Sequence, residues 1–170
     1  LAALTSITFK VLPAPETEET LFIPKLDDAT AMIVMSEALQ SQAEISAAAH
    51  VPGEGTYLRF EGLSLSVAAR RDRYVSTLQH TCEILNAEPS RAIWTRIRDC
   101  KVFSQDKAQA LWRISITPSE GAKLAAAISN QTDAKYYFDW GGGLLWMNVP
   151  AGLDVRPHLT TGHATLYAAP

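Results

Sequence analysis

Ile45-Ser46-Ala47-Ala48-Ala49-His50-Val51-Pro52-Gly53-Glu54-Gly55-Thr56-Tyr57-Leu58-Arg59-Phe60-Glu61 is the stretch that decides the fold class. Two apolar-rich segments, 45–51 and 56–61, flank Pro52-Gly53-Glu54-Gly55, and proline next to glycine is strong turn chemistry. The stretch therefore predicts an antiparallel hairpin. Upstream, Asp27 or Asp28 can cap a helix reaching about Ala43, with Ala29, Met32, Ile33, Leu39 and Ala43 near helical spacing, and Thr20 to Ile23 reads as a short strand. Downstream, Ala68, Val75, Leu78, Cys82 and Leu85 step by sevens, threes and fours, which paints one stripe on a long helix from Ser64 to about Leu85, interrupted only by Arg71.

The order around the hairpin is thus β-α-β-β-α. Pro89-Ser90 predicts the start of a shorter helix carrying Ile93, Trp94 and Ile97, and Leu111 to Ile116 alternates as a strand. Thr117-Pro118-Ser119-Glu120 has the form of a capping box ahead of a helix to about Asn130. Tyr136 to Trp140 and Leu144 to Val149 then read as strands around Gly141-Gly142-Gly143. The expectation is an α+β fold, a ferredoxin-like antiparallel sheet with helices on one face. No internal repeat of 20 to 50 residues is visible.

With 170 residues, 47% of them hydrophobic and 19% charged, the chain has a globular composition. A chain this long hides roughly 70% of its unfolded surface, so neither a disulfide framework nor a structural metal is required. The net charge of −3 and the lack of a long basic run argue against nucleic acid as a partner. The longest apolar stretches, such as Ala29 to Met35, fall well short of the ~20 residues that cross a bilayer. Two widely spaced cysteines, Cys82 and Cys100, fit a reducing, intracellular compartment, with Cys82 expected to be buried in its helix stripe. The chain opens in strand-like alternation, with Leu4, Ile7, Phe9 and Val11, and ends without an evident closing element, which reads as a piece of a longer protein. Pro13 and Pro15 mark a boundary after that first strand.

Motifs with autonomous chemistry are missing: there is no GxGxxG, GxxxxGK[ST], HExxH, CxxC or GxSxG. His50, His80, His158 and His163 are scattered, without metal-ligand spacing. The dense region is 111–146, which holds Trp112, Trp140 and Trp146 together with Arg113 and the glycine triplet. Alternation puts Trp112, Ile114 and Ile116 on one face of the strand and Arg113 with Ser115 on the other. There Arg113 either grips a carboxylate bidentately or lies in solvent stacked on a tryptophan. Gly141 to Gly143 either admit a ligand close to the backbone or mark a bend. His163 is either an acid or base near neutral pH or an exposed histidine at the edge of the core. Arg70, Arg71 and Arg73 are expected on a solvated helix face.

Four short strings occur in an order that extends this reading. Leu4-Thr5-Ser6-Ile7-Thr8-Phe9-Lys10-Val11-Leu12-Pro13 resembles the closing strand of the FAD-binding domain in FAD-linked oxidases. Leu111-Trp112-Arg113-Ile114-Ser115, Asp139-Trp140-Gly141-Gly142-Gly143-Leu144-Leu145-Trp146 and Gly162-His163-Ala164-Thr165 are similar to the C-terminal half of FAD-binding E subunits of bacterial glycolate oxidase, a family of the vanillyl-alcohol oxidase type. The resemblance implies that residues 1–14 are the last strand of an FAD-binding domain otherwise absent, and that 15–170 are the cap or substrate domain. It implies oxidation of glycolate to glyoxylate with hydride transfer to FAD, which the missing domain would mainly hold. It further implies a D-type flavin subunit and an iron-sulfur subunit as partners, and a cytoplasmic location with peripheral attachment to the inner membrane through the complex. By position, Arg113 and His163 are the expected substrate-binding residues, and Trp140, Gly141 and Gly142 the expected cofactor contacts. The His-x-His and His-Glu pattern of related 2-hydroxy-acid dehydrogenases does not occur. The alternatives are a non-catalytic scaffold subunit and an independent ferredoxin-like binding module.

Overall fold

The computed structural model describes residues 5–11, 13–103 and 108–169. Leu4 and Leu12 of the expected first strand, and Pro170, lie outside them. Residues 5–11 form no strand or helix; Ile7, Phe9 and Val11 alternate as the sequence suggests, but they are 55%, 76% and 80% exposed.

Eight strands and four helices follow: β1 (Thr17–Pro24), α1 (Asp28–Gln40), β2 (Ala47–Val51), β3 (Gly55–Gly62), α2 (Ser64–Val75), β4 (Glu83–Leu85), α3 (Ala87–Arg98), β5 (Gln109–Ser115), α4 (Pro118–Ser129), β6 (Lys135–Asp139), β7 (Leu144–Pro150) and β8 (His163–Ala168). All strand pairs are antiparallel, in one sheet of order β4-β1-β3-β2-β6-β7-β5-β8. The first half, β4-β1-β3-β2 with α1 and α2, is the βαββαβ arrangement of a ferredoxin-like unit. The second half, β8-β5-β7-β6 with α4, repeats that order, and a short 3-10 turn at Arg156–His158 stands where the second helix would be. The halves meet at β2 and β6 through the pair His50 and Phe138.

Alternation along the strands sorts side chains onto two faces. One face carries Leu21, Ile23, Leu58, Phe60, Ile114, Phe138, Leu145 and Met147, all fully buried under α1, α2 and α4. The opposite face carries Ala49, Tyr57, Tyr137, Leu144 and Trp146, which pack with Trp94 and Ile97 of α3. The chain has the expected α+β, ferredoxin-like class; α3 is the one helix among the described residues that lies on the other face, where it packs on β1 and β4 with Trp94 under Arg59 of β3.

Several local expectations shift for physical reasons. The helix expected from Ser64 to Leu85 stops at Val75, where the hydroxyls of Ser76 and Thr77 donate back to the carbonyls of Arg73 and Tyr74 at 2.7 and 2.9 Å and compete with further turns. Leu78 and Cys82 still pack on the core from the irregular stretch that follows, and Leu85 joins β4. The arginine cluster is not simply solvated. Arg70 donates to the carbonyls of Ala43, Glu44 and Glu61 at 3.0, 3.0 and 2.7 Å, and Arg71 pairs with Glu19. The short helix starts at Ala87, with Asn86 at the cap position but making no side-chain capping bond, so Ser90 sits inside it and is fully buried. Asp27 caps α1 through the Thr30 amide at 2.9 Å. Thr117 precedes α4 with Pro118 at the first position, but its hydroxyl makes no capping bond and Glu120 pairs with Lys123, so the reciprocal capping box does not form. The chain also has a closing element that its sequence did not suggest: β8 pairs along β5.

Candidate functional site

The face opposite the three-helix layer is only half covered. Beside α3 a groove of about 850 Å³ runs over β2, β6 and β7, floored by Ala47 and Leu144 and walled by Trp94, Trp140, Trp146 and four arginines: Arg59, Arg91, Arg98 and Arg113. Glu18 and Asp139 are its acidic lining residues. Small side chains on β2 leave the depression, and bulky ones on α3 and β7 raise its sides.

Arg113 is placed by strand alternation, as the sequence predicted: it lies opposite Trp146 on β7, while Trp112 and Ile114 point into the core. Its Cζ lies 5.0 Å from the centroid of Trp140. No carboxylate lies within ion-pair distance of it among the described residues. Arg59 stands on the far wall with its Cζ 5.1 Å from the centroid of Trp94, but it is engaged, donating to Ser46 Oγ at 3.1 Å and reaching Glu61 Oε2 at 3.2 Å. Asp139 lies between these cations. Burial pushes its carboxyl above the ordinary range, against the opposing pull of the Trp140 amide, which donates to Oδ1 at 2.7 Å, and of Arg59 and Arg113.

The other expected site residues part company. Trp140 projects into the groove and is 63% exposed, with its backbone at φ 52, a left-handed conformation that is costly for a bulky residue. Gly141 and Gly142 are buried and do not line the groove. A Cβ on Gly141 would meet Leu39 Cδ1 at 2.3 Å, and one on Gly142 would meet Met32 Sδ at 2.5 Å. The glycines therefore make a tight bend that lets α1 close on the β6–β7 connection. His163 opens the edge strand β8 opposite Ser115; it shares the face of Arg113 but does not line the groove.

Arg59, Arg91, Arg98, Trp94 and Asp139 escaped the sequence reading as site residues. Only Arg59 had a local signal: alternation in the hairpin places it with Tyr57, away from Leu58 and Phe60. The arginines of α3 reach the groove because that helix crosses to the second face. On the helix-covered face, His50 is fully buried, its Nδ1 2.9 Å from Thr56 Oγ1 and its Nε2 3.2 Å from Asp28 Oδ1, while the Tyr136 hydroxyl donates to Asp28 Oδ2 at 2.7 Å. This network ties the start of α1 to β2, β3 and β6. With Thr56 fully buried, it presents no accessible nucleophile.

No protein-family model matches the chain, and no curated protein matches it. Among the described residues no helix is long and apolar enough to cross a membrane.

Proposed function

We propose that this chain is the cap, or substrate, domain of an FAD-dependent 2-hydroxy-acid oxidoreductase subunit of the glycolate-oxidase type, with glycolate as the simplest acid it handles. The observation that carries this reading is Arg113, a guanidinium without a carboxylate partner among the described residues, stacked on Trp140 at 5.0 Å in a groove open to solvent. A planar guanidinium holds a carboxylate by two parallel N–H···O bonds, and an aromatic wall that excludes water strengthens them.

FAD would supply the hydride acceptor. The residues present fit one side of its ring system: Trp140 offers a flat apolar surface and Arg113 a cation beside it. They do not fit its phosphates, because Gly141 and Gly142 are packed under Leu39 and Met32 and leave no bare backbone for an anion. In this reading residues 1–14 belong to an accompanying FAD-binding domain that holds the phosphates, and 15–170 form the cap. Arg113 binds and orients the acid, and Trp140 and Trp146 screen it from water. A D-type flavin subunit and an iron-sulfur subunit are the proposed partners, in the cytoplasm and at the periphery of the inner membrane.

A second reading, a non-catalytic scaffold subunit, is favoured by one observation: no histidine lines the groove, His163 lying outside it and His50 beneath the other face. Visible absorption of the protein that carries this chain, purified with and without its partner subunits and recorded before and after glycolate, separates the two. Flavin bands that glycolate bleaches when the partners are present support the cap-domain reading. A colourless protein, or an Arg113→Gln complex with unchanged KM and kcat for glycolate, overturns it in favour of the scaffold.

A further inference from the structure

Building on the carboxylate-binding reading of the groove, we propose that the acid it prefers is a monocarboxylate bearing an aromatic or comparably bulky apolar side chain. The first reason is size. Glycolate fills a small corner of a groove of about 850 Å³, and that volume lies within the roughly 300–1,000 Å³ typical of sites for much larger molecules.

The second reason is the lining. Trp140 is a large apolar surface left 63% exposed beside Trp146, which is itself 7% exposed. A largely exposed indole, stacked by a guanidinium that has no carboxylate partner among the described residues, suits a ligand with a carboxylate at one end and a flat apolar group at the other. The third reason is backbone conformation. Trp140 is held at φ 52 by the Asp139 carboxylate accepting its amide at 2.7 Å, and a bulky side chain kept in that region persists only where its surroundings impose it. The effect here is to aim the ring across the groove toward Arg113.

Beside Arg113 the charges disfavour a second carboxylate. Arg59, one of the cations across the groove, is already engaged by Glu61 and Ser46, Arg98 is paired with Asp99, and Asp139 stands between Arg59 and Arg113. A second carboxylate would meet that like charge, whereas an aromatic ring would meet Trp140, Trp146 and Leu144.

Tryptophan-fluorescence titration of the 170-residue chain with phenyllactate, lactate, glycolate and an uncharged phenyl alcohol tests this directly. Phenyllactate is expected to bind with a Kd lower than that of lactate by about tenfold or more, from the apolar area its ring removes from water. In Trp140→Ala, a change at an exposed position, lactate binding persists and the preference for the phenyl acid shrinks toward unity. In Arg113→Gln both acids weaken together. Equal affinity for phenyllactate and lactate overturns the inference and leaves the carboxylate reading standing. Failure of every acid to bind, or an alcohol that binds as well as its acid, overturns both.

Discussion

Trp94, the indole under Arg59, is held by a buried chain of hydroxyls whose removal has a calculable cost. Its Nε1–H donates to Thr20 Oγ1 at 2.8 Å, Thr20 lies 2.8 Å from Ser90 Oγ, and Ser90 donates to Glu18 Oε1 at 2.8 Å. Since Ser90 spends its proton on Glu18, Thr20 must donate to Ser90 while accepting from Trp94. Thr20→Val keeps the shape of the side chain and removes both roles. Thr20 and Ser90 are fully buried and Trp94 is 8% exposed, so the indole N–H has no water to turn to. A stranded buried donor costs about 1–3 kcal/mol, and the extra methyl returns a fraction of that, for a net loss of about 2 kcal/mol. At about 2–4 °C per kcal/mol for a chain of this size, Tm falls by about 4–8 °C. Urea unfolding followed by circular dichroism should show a lower midpoint with an unchanged slope. Adding Trp94→Phe to Thr20→Val should cost less than the two single losses added together, because the orphaned donor goes with the indole. A Thr20→Val protein within about 0.5 kcal/mol of the parent, the ordinary scatter of harmless surface changes, would refute the reasoning.

Gly142→Ala places a Cβ 2.5 Å from Met32 Sδ at φ +92; with about 1–2 kcal/mol for the left-handed backbone and about 1–3 for crowding, it should cost about 2–5 kcal/mol in a thermal melt. Tyr136→Phe removes the donor 2.7 Å from Asp28 Oδ2 and should cost about 1.5–3 kcal/mol by denaturant titration at pH 7, as hydrogen bonds to charged groups do. For Asp139 the sign follows from burial. Its folded-state carboxyl lies above the ordinary 3.8, so the folded chain holds that proton more tightly than the unfolded one, and the contribution is full below the unfolded value and lost as pH rises through the folded one. Asp139→Asn, which keeps an oxygen for the Trp140 amide, is therefore more stable than the parent at pH 7. The gap closes as the medium is taken below pH 3.8, which paired melts read directly.

The frame was legible wherever local chemistry and tertiary packing agreed. The hairpin 45–61 had its turn written into Pro52-Gly53, and β5 had its two faces written into Leu111 to Ile116; both formed as expected. The long helix failed because a heptad-like stripe marks residues that touch a core, and Leu78 and Cys82 do touch it, from an irregular segment. What ends α2 is hydroxyl back-bonding at Ser76 and Thr77, which the periodicity of apolar residues does not register. Strand β8 was missed because an edge strand needs no apolar alternation: Leu166 and Tyr167 are 46% and 64% exposed, and it is the hydrogen-bonded ladder with β5 that makes the segment a strand. At the site, Arg113 and Trp140 were visible because one lies on an alternating strand and the other beside a glycine bend. Arg59, Trp94 and Asp139 come from three separate elements, and their convergence is a property of the sheet order.

That sheet order makes the frame nearly repeat itself under a half-turn. An axis through the His50–Phe138 seam exchanges β1 with β5, β3 with β7 and β4 with β8. Counting back two residues from the ends of β1 and β5, the cross-strand pair Phe22–Tyr57 in the first half corresponds to Arg113–Trp146 in the other. The former pair is a stack at 5.0 Å that packs in the core beneath α3; the latter faces the groove. The same address in a twice-used plan is thus a seal in one half and an open groove wall in the other, and the step between them is a phenyl ring exchanged for a guanidinium.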